Sequence, residues 1–537
     1  MSSPWPRVGR TAARAGRPRF LAFGLAVAGA AAAAAGAPVT LERVIEVGDP
    51  APGFPAGAAV ALVGDAPRID ASGAVSLLLN VRDPEGRSFQ ALYRATDGEP
   101  ALVFRSGDPA PGVAGRFALF PALPATPRID GRRLTFAAST DLPAAGAAGI
   151  WSDRSGRFGP LVLVGDRLPG MPSAAALVDF SFGTRGADTL LLGSFGGGGP
   201  LLRRDRGLWR HRSGRWEPLV VGGGPAPGLG GGVVFDTEPT QAFGPVFAFD
   251  AAAGGPAVIQ AWVSGPGIDE SNDEALWLAV PGRLSVLARE GDRLPGRRRR
   301  TFGPTAGAPT FGGLGENPSV VMSPSGAVVF GAVVTSARGR LNSVWSTRRG
   351  EPRLEVRGAP PLAGFAGGDR APGLVRGATF ASFEAAALNA AGVLALQATA
   401  SGGGKARAPT RGLWWDAGGA LALIAAAGRP APGLPGVTVD DVALERLTAG
   451  GALLFSARLS GLGVTGDNDR ALFAATAGGS GPALREGDPA RVVTPSGDRM
   501  RTVAAFRLGD GLGGDGRVAI EVVFADGSAG VYRLALR

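Results

Sequence analysis

An apolar step ending in an aromatic residue occurs eight times along this chain. The steps are Ala91-Leu92-Tyr93, Gly149-Ile150-Trp151, Gly207-Leu208-Trp209, Ala275-Leu276-Trp277, Ser343-Val344-Trp345, Gly412-Leu413-Trp414, Ala471-Leu472-Phe473 and Gly530-Val531-Tyr532. Successive aromatics are 58, 58, 68, 68, 69, 59 and 59 residues apart. Self-similarity at a nearly fixed period restricts a chain to arrays of one supersecondary unit. A second marker keeps step with the first. A Gly-Asp-x-x-Pro-Gly turn, or a close variant, begins at Gly48, Gly107, Gly165, Gly223, Gly291, Gly368, Gly428 and Gly487. In six of the seven cases with an aromatic upstream, it starts 14 residues after that aromatic. In such a turn Asp accepts from nearby backbone N–H groups, Pro fixes φ, and Gly permits a positive φ.

The segments between the markers read as strands. A short apolar run precedes each turn (Val44 to Val47, Leu161 to Val164, Leu284 to Leu287). A second apolar stretch follows it and ends in a polar residue three before a Gly, as in Asp70/Gly73, Ser323/Gly326, Asn389/Gly392 and Thr448/Gly451. That spacing suits a hairpin with Gly in a left-handed position. Each period therefore holds four strands: a and b, then c (the aromatic step), then d (leading into the Gly-Asp turn). No stretch after residue 40 carries a 3.6-residue apolar stripe, and 44 prolines with 88 glycines oppose long helices.

The phase of the markers sets the topology. The first turn has a strand d before it but no aromatic strand. The last aromatic step, at Tyr532, has no strand d after it. Joining the two ends completes a sheet and removes two open edges. The expected fold is an all-β, eight-bladed β-propeller of four-stranded blades, with the last blade closed by N-terminal residues 40–47 lying beside Val531–Leu536. The alternatives are seven blades plus an insertion, or an array left open.

The first 40 residues stand apart. Arg7, Arg10, Arg14, Arg17 and Arg19 precede an apolar run from Phe20 to Ala35. A basic, then apolar, then small-residue order is that of a secretory signal peptide, and the run is too short to span a bilayer. The expected division is a signal peptide over 1–37, cleaved near 35–37, and a single propeller domain over 38–537 without a transmembrane span. That places the mature protein in the periplasm or outside the cell. The absence of Cys excludes disulfides, thiolate metal sites and cysteine nucleophiles.

The formal charge of +10 includes five arginines of the leader, so the remainder is near +5. Lys405 is the only lysine, and arginine dominance in an Ala- and Gly-rich chain speaks of compositional bias. Together with export, this argues against nucleic acid as a partner. Two clusters remain, Arg297, Arg298, Arg299 and Arg300 after one Gly-Asp turn, and Arg203, Arg204 and Arg206 before a strand c. Guanidinium forks match carboxylate and phosphate, so the first cluster is a candidate site for an anionic glycan; solvated loop charge is the plainer reading.

Candidate chemistry is narrow. His211 is the only histidine, which excludes multi-histidine metal sites. It aligns with Asp153 one period earlier, in a c–d hairpin, and any Ser-His-Asp arrangement would have to use it. Asp49, Asp108, Asp166, Asp292, Asp369 and Asp488 would form an incomplete ring of turn carboxylates, with Gly224 and Arg429 in the other two positions. Such a ring can bind Ca²⁺ or supply an acid/base pair; equally, each Asp can cap its own turn. Two b–c loops break the symmetry in parallel, one carrying Asp269, Asn272 and Asp273, the other Asp467, Asn468 and Asp469. Closely spaced oxygen ligands suit Ca²⁺, and Asx turns use the same residues. The run Gly511-Leu-Gly513-Gly514-Asp515-Gly516 matches a dinucleotide fingerprint only in letters, because no βαβ unit surrounds it.

The set of Gly-Asp-Pro-Ala-Pro-Gly turns, polar-x-x-Gly hairpins and Gly-Leu/Ile-Trp steps over residues 40–537 resembles an uncharacterised family of exported bacterial tandem-repeat, propeller-like proteins. Members of that family often carry PEP-CTERM-type sorting tails. This chain closes on Val531-Tyr-Arg-Leu-Ala-Leu-Arg537 without such a tail, so the resemblance implies fold and compartment rather than anchoring. The expected function is a monomeric binding or scaffold module for a cell-envelope or extracellular polymer or protein. The alternatives are a carboxylate-based, Ca-assisted polysaccharide hydrolase or lyase, and a structural envelope protein without a ligand.

Overall fold

The computed structural model describes residues 38–536 apart from 97, 121–126, 144–145, 186–187, 197–204, 237–245, 253–254, 295–309, 315–319, 337–338, 359–367, 403–408 and 418. Regular structure among the described residues is entirely β, and none of them forms a helix long and apolar enough to cross a membrane. The strands of the described residues fall into eight sheets. In the third sheet Ala176–Arg185, Asp188–Gly196, Asp205–Arg212 and Arg215–Val221 run up and down in chain order. The sixth (378–426) and seventh (437–485) sheets repeat that meander. These are four-stranded sheets arranged like the blades of a propeller.

Strand a departs from the sequence expectation. In the first, second, fourth and fifth sheets it is two pieces, as in Ala59–Val63 and Arg68–Ile69, or Phe117–Leu119 and Arg128–Asp130. The second strands read as near-continuous apolar runs because both faces are covered. Val75–Arg82 is buried at six of its eight positions. The core is accordingly divided into layers between successive sheets. One layer joins Ala395 and Leu413 of the sixth sheet to Val439, Leu453 and Phe473 of the seventh.

The two ends of the chain are joined by three strand pairings. Val39–Glu46 pairs antiparallel with Ala529–Ala535, with Leu41 opposite Leu534 and Ile45 opposite Val531. This is the pairing that the phase of the markers predicts. The same N-terminal strand also pairs in parallel with Pro489–Val493, which closes the last sheet into a small barrel. The turn sequence explains the extra strand. Where other turns have Pro-Gly, the last has Arg491-Val492, so nothing reverses the chain and it stays extended. Finally, Asp510–Gly511 pairs in parallel with Arg68–Ile69 of the first sheet. The backbones are so close there that a Cβ at Gly511 would lie 1.7 Å from the Ile69 carbonyl oxygen. The glycine-rich run around 511 is thus required by chain-to-chain approach.

In five of the eight repeats the two sequence markers prove to be halves of one contact. Ala51-Pro52-Gly53-Phe54 is a type II turn, with Gly53 at φ 79° and Phe54 N–H donating to the Ala51 carbonyl at 3.2 Å. The middle peptide of a type II turn directs its carbonyl away from that bond, and the strand c aromatic of the same sheet donates to it. Tyr93 Oη donates to Pro52 O at 3.0 Å, Trp151 Nε1 to Pro111 O at 3.0 Å and Trp209 Nε1 to Pro169 O at 2.8 Å. Trp277 and Trp414 do the same to Pro227 and Pro372 at 3.1 and 3.0 Å. Trp345 donates to Ser343 Oγ at 2.8 Å, and the turn preceding its sheet, at Pro295-Gly296, lies outside the described residues. The small residue two before the aromatic has its own cause. A Cβ on Gly207 would stand 2.4 Å from the Trp209 ring.

Candidate functional site

The d–a connections and the b–c loops lie at one end of each sheet; the a–b and c–d hairpins lie at the other. At the first end the Gly-Asp turns are hydrogen-bonded frames. Gly107 N–H donates to Phe117 O at 2.7 Å and Phe117 N–H to Asp108 O at 2.9 Å. The carboxylates of Asp49, Asp108, Asp166 and Asp369 accept from the N–H groups of Glu46, Arg105, Leu163 and Arg357 at 2.6–2.9 Å. Arg43, Arg105 and Arg357 add ion pairs to three of them. Four turn carboxylates therefore cap their own turns. Asp292 and Asp488 lack that cap, and burial pushes both above the usual carboxylate range against the pull of Arg289 and Arg485.

Those two exceptions belong to the fourth and seventh sheets, which also carry the acidic b–c loops. Each loop folds over the Gly-Asp turn of its own sheet. A Cβ on Gly291 would lie 3.3 Å from Asn272 Cβ, and one on Gly487 2.7 Å from Asn468 Cβ. Asn272 Oδ1 accepts from Asp269 N–H at 3.0 Å and Nδ2 donates to Gly267 O at 3.1 Å. Asn468 repeats this with Thr465 N–H at 2.7 Å and Gly463 O at 3.1 Å. Both amides are thus spent inside their loops. Bonds from the Ser271 hydroxyl and N–H hold Asp269 below its ordinary pKa, whereas burial, then the charges of Asp236 and Glu270, raise Asp273. Asp467 and Asp469 lie on the second loop, where Asp469 meets Arg458 at 3.4 Å. Among the described residues no three His, Cys, Asp or Glu side chains form a metal-holding group. Arg297, Arg298, Arg299 and Arg300 lie outside the described residues, as do Arg203 and Arg204.

The denser constellation is at the hairpin end. Arg68, Arg128 and Arg446 come from strand a of the first, second and seventh sheets and converge on Asp510, in the segment that leaves the last sheet to pair with the first. Arg128 and Arg446 reach its carboxylate at 3.1 and 3.0 Å, and Arg446 Nη2 donates to Gly509 O at 2.7 Å. Burial alone would raise the Asp510 carboxyl, but the charges of Arg68, Arg446 and Arg128 outweigh it and hold it far below the usual range. One signal for this cluster was legible: Pro67-Arg-Ile-Asp70 recurs as Pro127-Arg-Ile-Asp130. Its acceptor was not, because Asp510 is separated from Arg68 by 442 residues.

Ion pairs also tie neighbouring sheets together at this end. Arg94 of the first sheet reaches Asp153 of the second at 2.7 Å, and Arg348 of the fifth pairs with Asp416 of the sixth. Both aspartates also accept from the start of their own strand b, at Leu134 N–H (2.7 Å) and Leu394 N–H (2.6 Å). In the third sheet the position holds His211. Sequence reading puts His211 in the hairpin turn; it is in fact within strand Asp205–Arg212, opposite Trp216, and half-buried, with the turn at Ser213-Gly214. Its ring lies 5.0 Å from the Trp216 ring. Burial, then the charge of Arg154, lowers its pKa, so the imidazole is neutral near pH 7. Asp188, the acid beside it, is engaged by Arg212 at 2.7 Å, so it is not positioned to orient His211 as a catalytic base.

A family profile described as "Family of unknown function (DUF7453)" matches residues 26–367 and again 310–534. Among curated proteins no sequence match is found. Of solved structures, the beta-propeller domain of the Trilobed protease from Pyrococcus furiosus is 10% identical, with 80% of this chain and 100% of that one covered at a TM-score of 0.36. The acylaminoacyl peptidase of Pyrococcus horikoshii is 9% identical, with 85% and 56% covered at 0.35. An α-L-arabinofuranosidase of Fusarium graminearum is 12% identical, with 66% and 92% covered at 0.24.

Proposed function

We propose, for a chain that belongs to the DUF7453 family of unknown function, that it is an exported eight-bladed β-propeller acting as a binding or scaffold module for an envelope or extracellular polymer or protein. The observation that carries this reading is the pairing of Val39–Glu46 with Ala529–Ala535, supported by the second join between Asp510–Gly511 and Arg68–Ile69. A sheet series locked end to end is a rigid frame, and its loops become two broad presentation surfaces. The frame begins at Val39, directly after the leader expected to be removed near residues 35–37.

A hydrolase or lyase needs two carboxyl groups held at a defined spacing around a substrate. Four of the six turn carboxylates are instead committed to their own backbone N–H groups, which favours the binding reading. The test is to express the full chain, locate it by cell fractionation with N-terminal sequencing, and screen the exported protein on glycan arrays and immobilised envelope polymers. Retention of one polymer class without turnover supports the module. Cytoplasmic retention with an intact N-terminus, or cleavage of a uronate polymer lost on Asp292→Asn or Asp488→Asn, would replace it.

A further inference from the structure

One position of the repeat carries charge that the fold does not use. The residue six after the strand c aromatic is Glu99, Arg157, Arg215, Arg283, Glu351 and Ala420 in the first six sheets. In each it follows a glycine of the c–d hairpin whose φ lies between 72° and 100°, so the turn fixes where its side chain leaves the sheet. Arginine therefore stands at the same place on three consecutive sheets, the second, third and fourth, with glutamate at that place on the first and the fifth. Arg157, Arg215 and Arg283 are exposed, and none of them has an ion pair among the described residues. At the opposite end of the sheets, by contrast, Arg43, Arg105 and Arg357 are spent on turn carboxylates.

Charge at the hairpin end is sorted by depth. The exposed charged residues on the described hairpins of these three sheets are Arg132, Arg133, Arg157, Arg215 and Arg283. The acids are engaged by other arginines: Asp153 by Arg94, Asp188 by Arg212, Asp130 by Arg154 and Glu217 by Arg210. Arg132 is held at φ 67°, its N–H donating to Asp70 Oδ2 at 2.8 Å and its carbonyl accepting from Arg94 at 2.9 Å. A left-handed arginine is uncommon and strained, so the hairpin that presents it is fixed by the first sheet.

We propose that the hairpin rim of the second, third and fourth sheets docks a linear anionic polysaccharide, whose carboxylates meet Arg157, Arg215 and Arg283 in turn. This deepens the binding-module reading and rests on it, naming the face and the polymer class. Guanidinium forks match carboxylates. Each exposed contact is weak alone, and a row of them on one rigid frame gains by multivalency. Glu99 and Glu351 repel a polyanion at the two ends of the row and so limit its length. A bilayer surface fits this rim less well. Proteins that lie on bilayers bury apolar side chains there, and the large apolar side chains exposed among the described residues, Leu62, Leu119, Val178, Leu462 and Met500, are all off these hairpins.

The test measures binding of the full exported protein to immobilised polygalacturonate and to neutral dextran. Saturable binding to polygalacturonate alone is expected, weakening at least about fivefold as NaCl rises from about 50 to about 200 mM. Arg157→Glu, Arg215→Glu and Arg283→Glu combined should weaken it at least about twentyfold, and each single Arg→Ala change about two- to fivefold. The same charge reversal on exposed arginines of the other end, Arg82→Glu, Arg167→Glu and Arg376→Glu combined, should leave binding within about twofold. No binding of polygalacturonate, equal loss from the two triple variants, or equally tight binding to phosphatidylglycerol vesicles would each overturn the proposal. If the first triple variant does not fold, the single alanine variants decide, and three without effect overturn it. Failure of the module reading is a separate result. A chain that ignores polygalacturonate but retains a neutral polymer is still a module, whereas one that retains nothing is neither.

Discussion

Replacing Asp510 by Ala tests whether the join between chain ends is held by charge as well as by strand pairing. Asp510 is the shared acceptor of Arg68, Arg128 and Arg446, which belong to three different sheets. Removing one partner of a buried ion pair typically costs about 3–5 kcal/mol, because the remaining charge stays in a poor solvent. Asp510 keeps 42% of its side-chain exposure, so water screens part of the loss and about 2–3 kcal/mol is the expected figure. Spread over a unit of roughly 500 residues, that lowers a single cooperative transition by about 2–3 °C. Differential scanning calorimetry measures the shift. Hydrogen exchange by mass spectrometry should show lost protection at 66–70, 127–130 and 508–515 and little change in the fourth and fifth sheets. The pH dependence has a definite sign. The native carboxyl titrates far below its unfolded value, so the contribution is complete above about pH 4 and declines as pH falls toward the native pKa. A Tm within 0.5 °C of wild type, as an order-of-magnitude threshold, or protection lost evenly around all sheets, would refute the idea that this carboxylate clasps the ends.

Gly511→Ala acts on the same join without changing charge, and its Cβ would collide with the Ile69 carbonyl while φ stands at 87°. It is expected to exceed the Asp510→Ala effect and to expose 66–71 in hydrogen exchange; a silent Gly511→Ala would mean that the two strands separate freely. Trp209→Phe leaves the Pro169 carbonyl without its 2.8 Å donor and should cost about 1–3 kcal/mol by urea denaturation. His211 is held neutral by burial and Arg154, with Asp188 pulling the other way. Its native pKa is below the unfolded value, so its effect on stability is absent above about pH 6.5 and grows destabilising as pH falls below it. His211→Gln should flatten stability between about pH 6.5 and 5; an unchanged slope would assign the acid sensitivity elsewhere.

The parts of this molecule legible in its sequence are those set by local rules repeated often enough to be recognised. Pro52-Gly53 and its equivalents announce a reversal, and Gly-x-Trp announces a strand residue needing space behind it. A strand d without its sheet at residues 40–47 needs a partner, which residues 529–535 supply. Their joint meaning was still hidden, since a hydrogen bond from Trp151 to Pro111 spans 40 residues that the text treats as separate motifs. The candidate sites were less legible because repetition and function pull in opposite directions. Motifs that draw the eye, such as the turn aspartates, recur largely as local caps: four of the six satisfy their own backbone. A recurring position that changes, as at His211, has meaning only against the neighbour it would have met. That neighbour, Arg154, is identified by the sheet next door rather than by proximity in the chain. The glycine-rich run at 511–516 teaches the converse: letters that imitate a ligand-binding loop are accounted for by a strand of the first sheet passing within contact of its backbone.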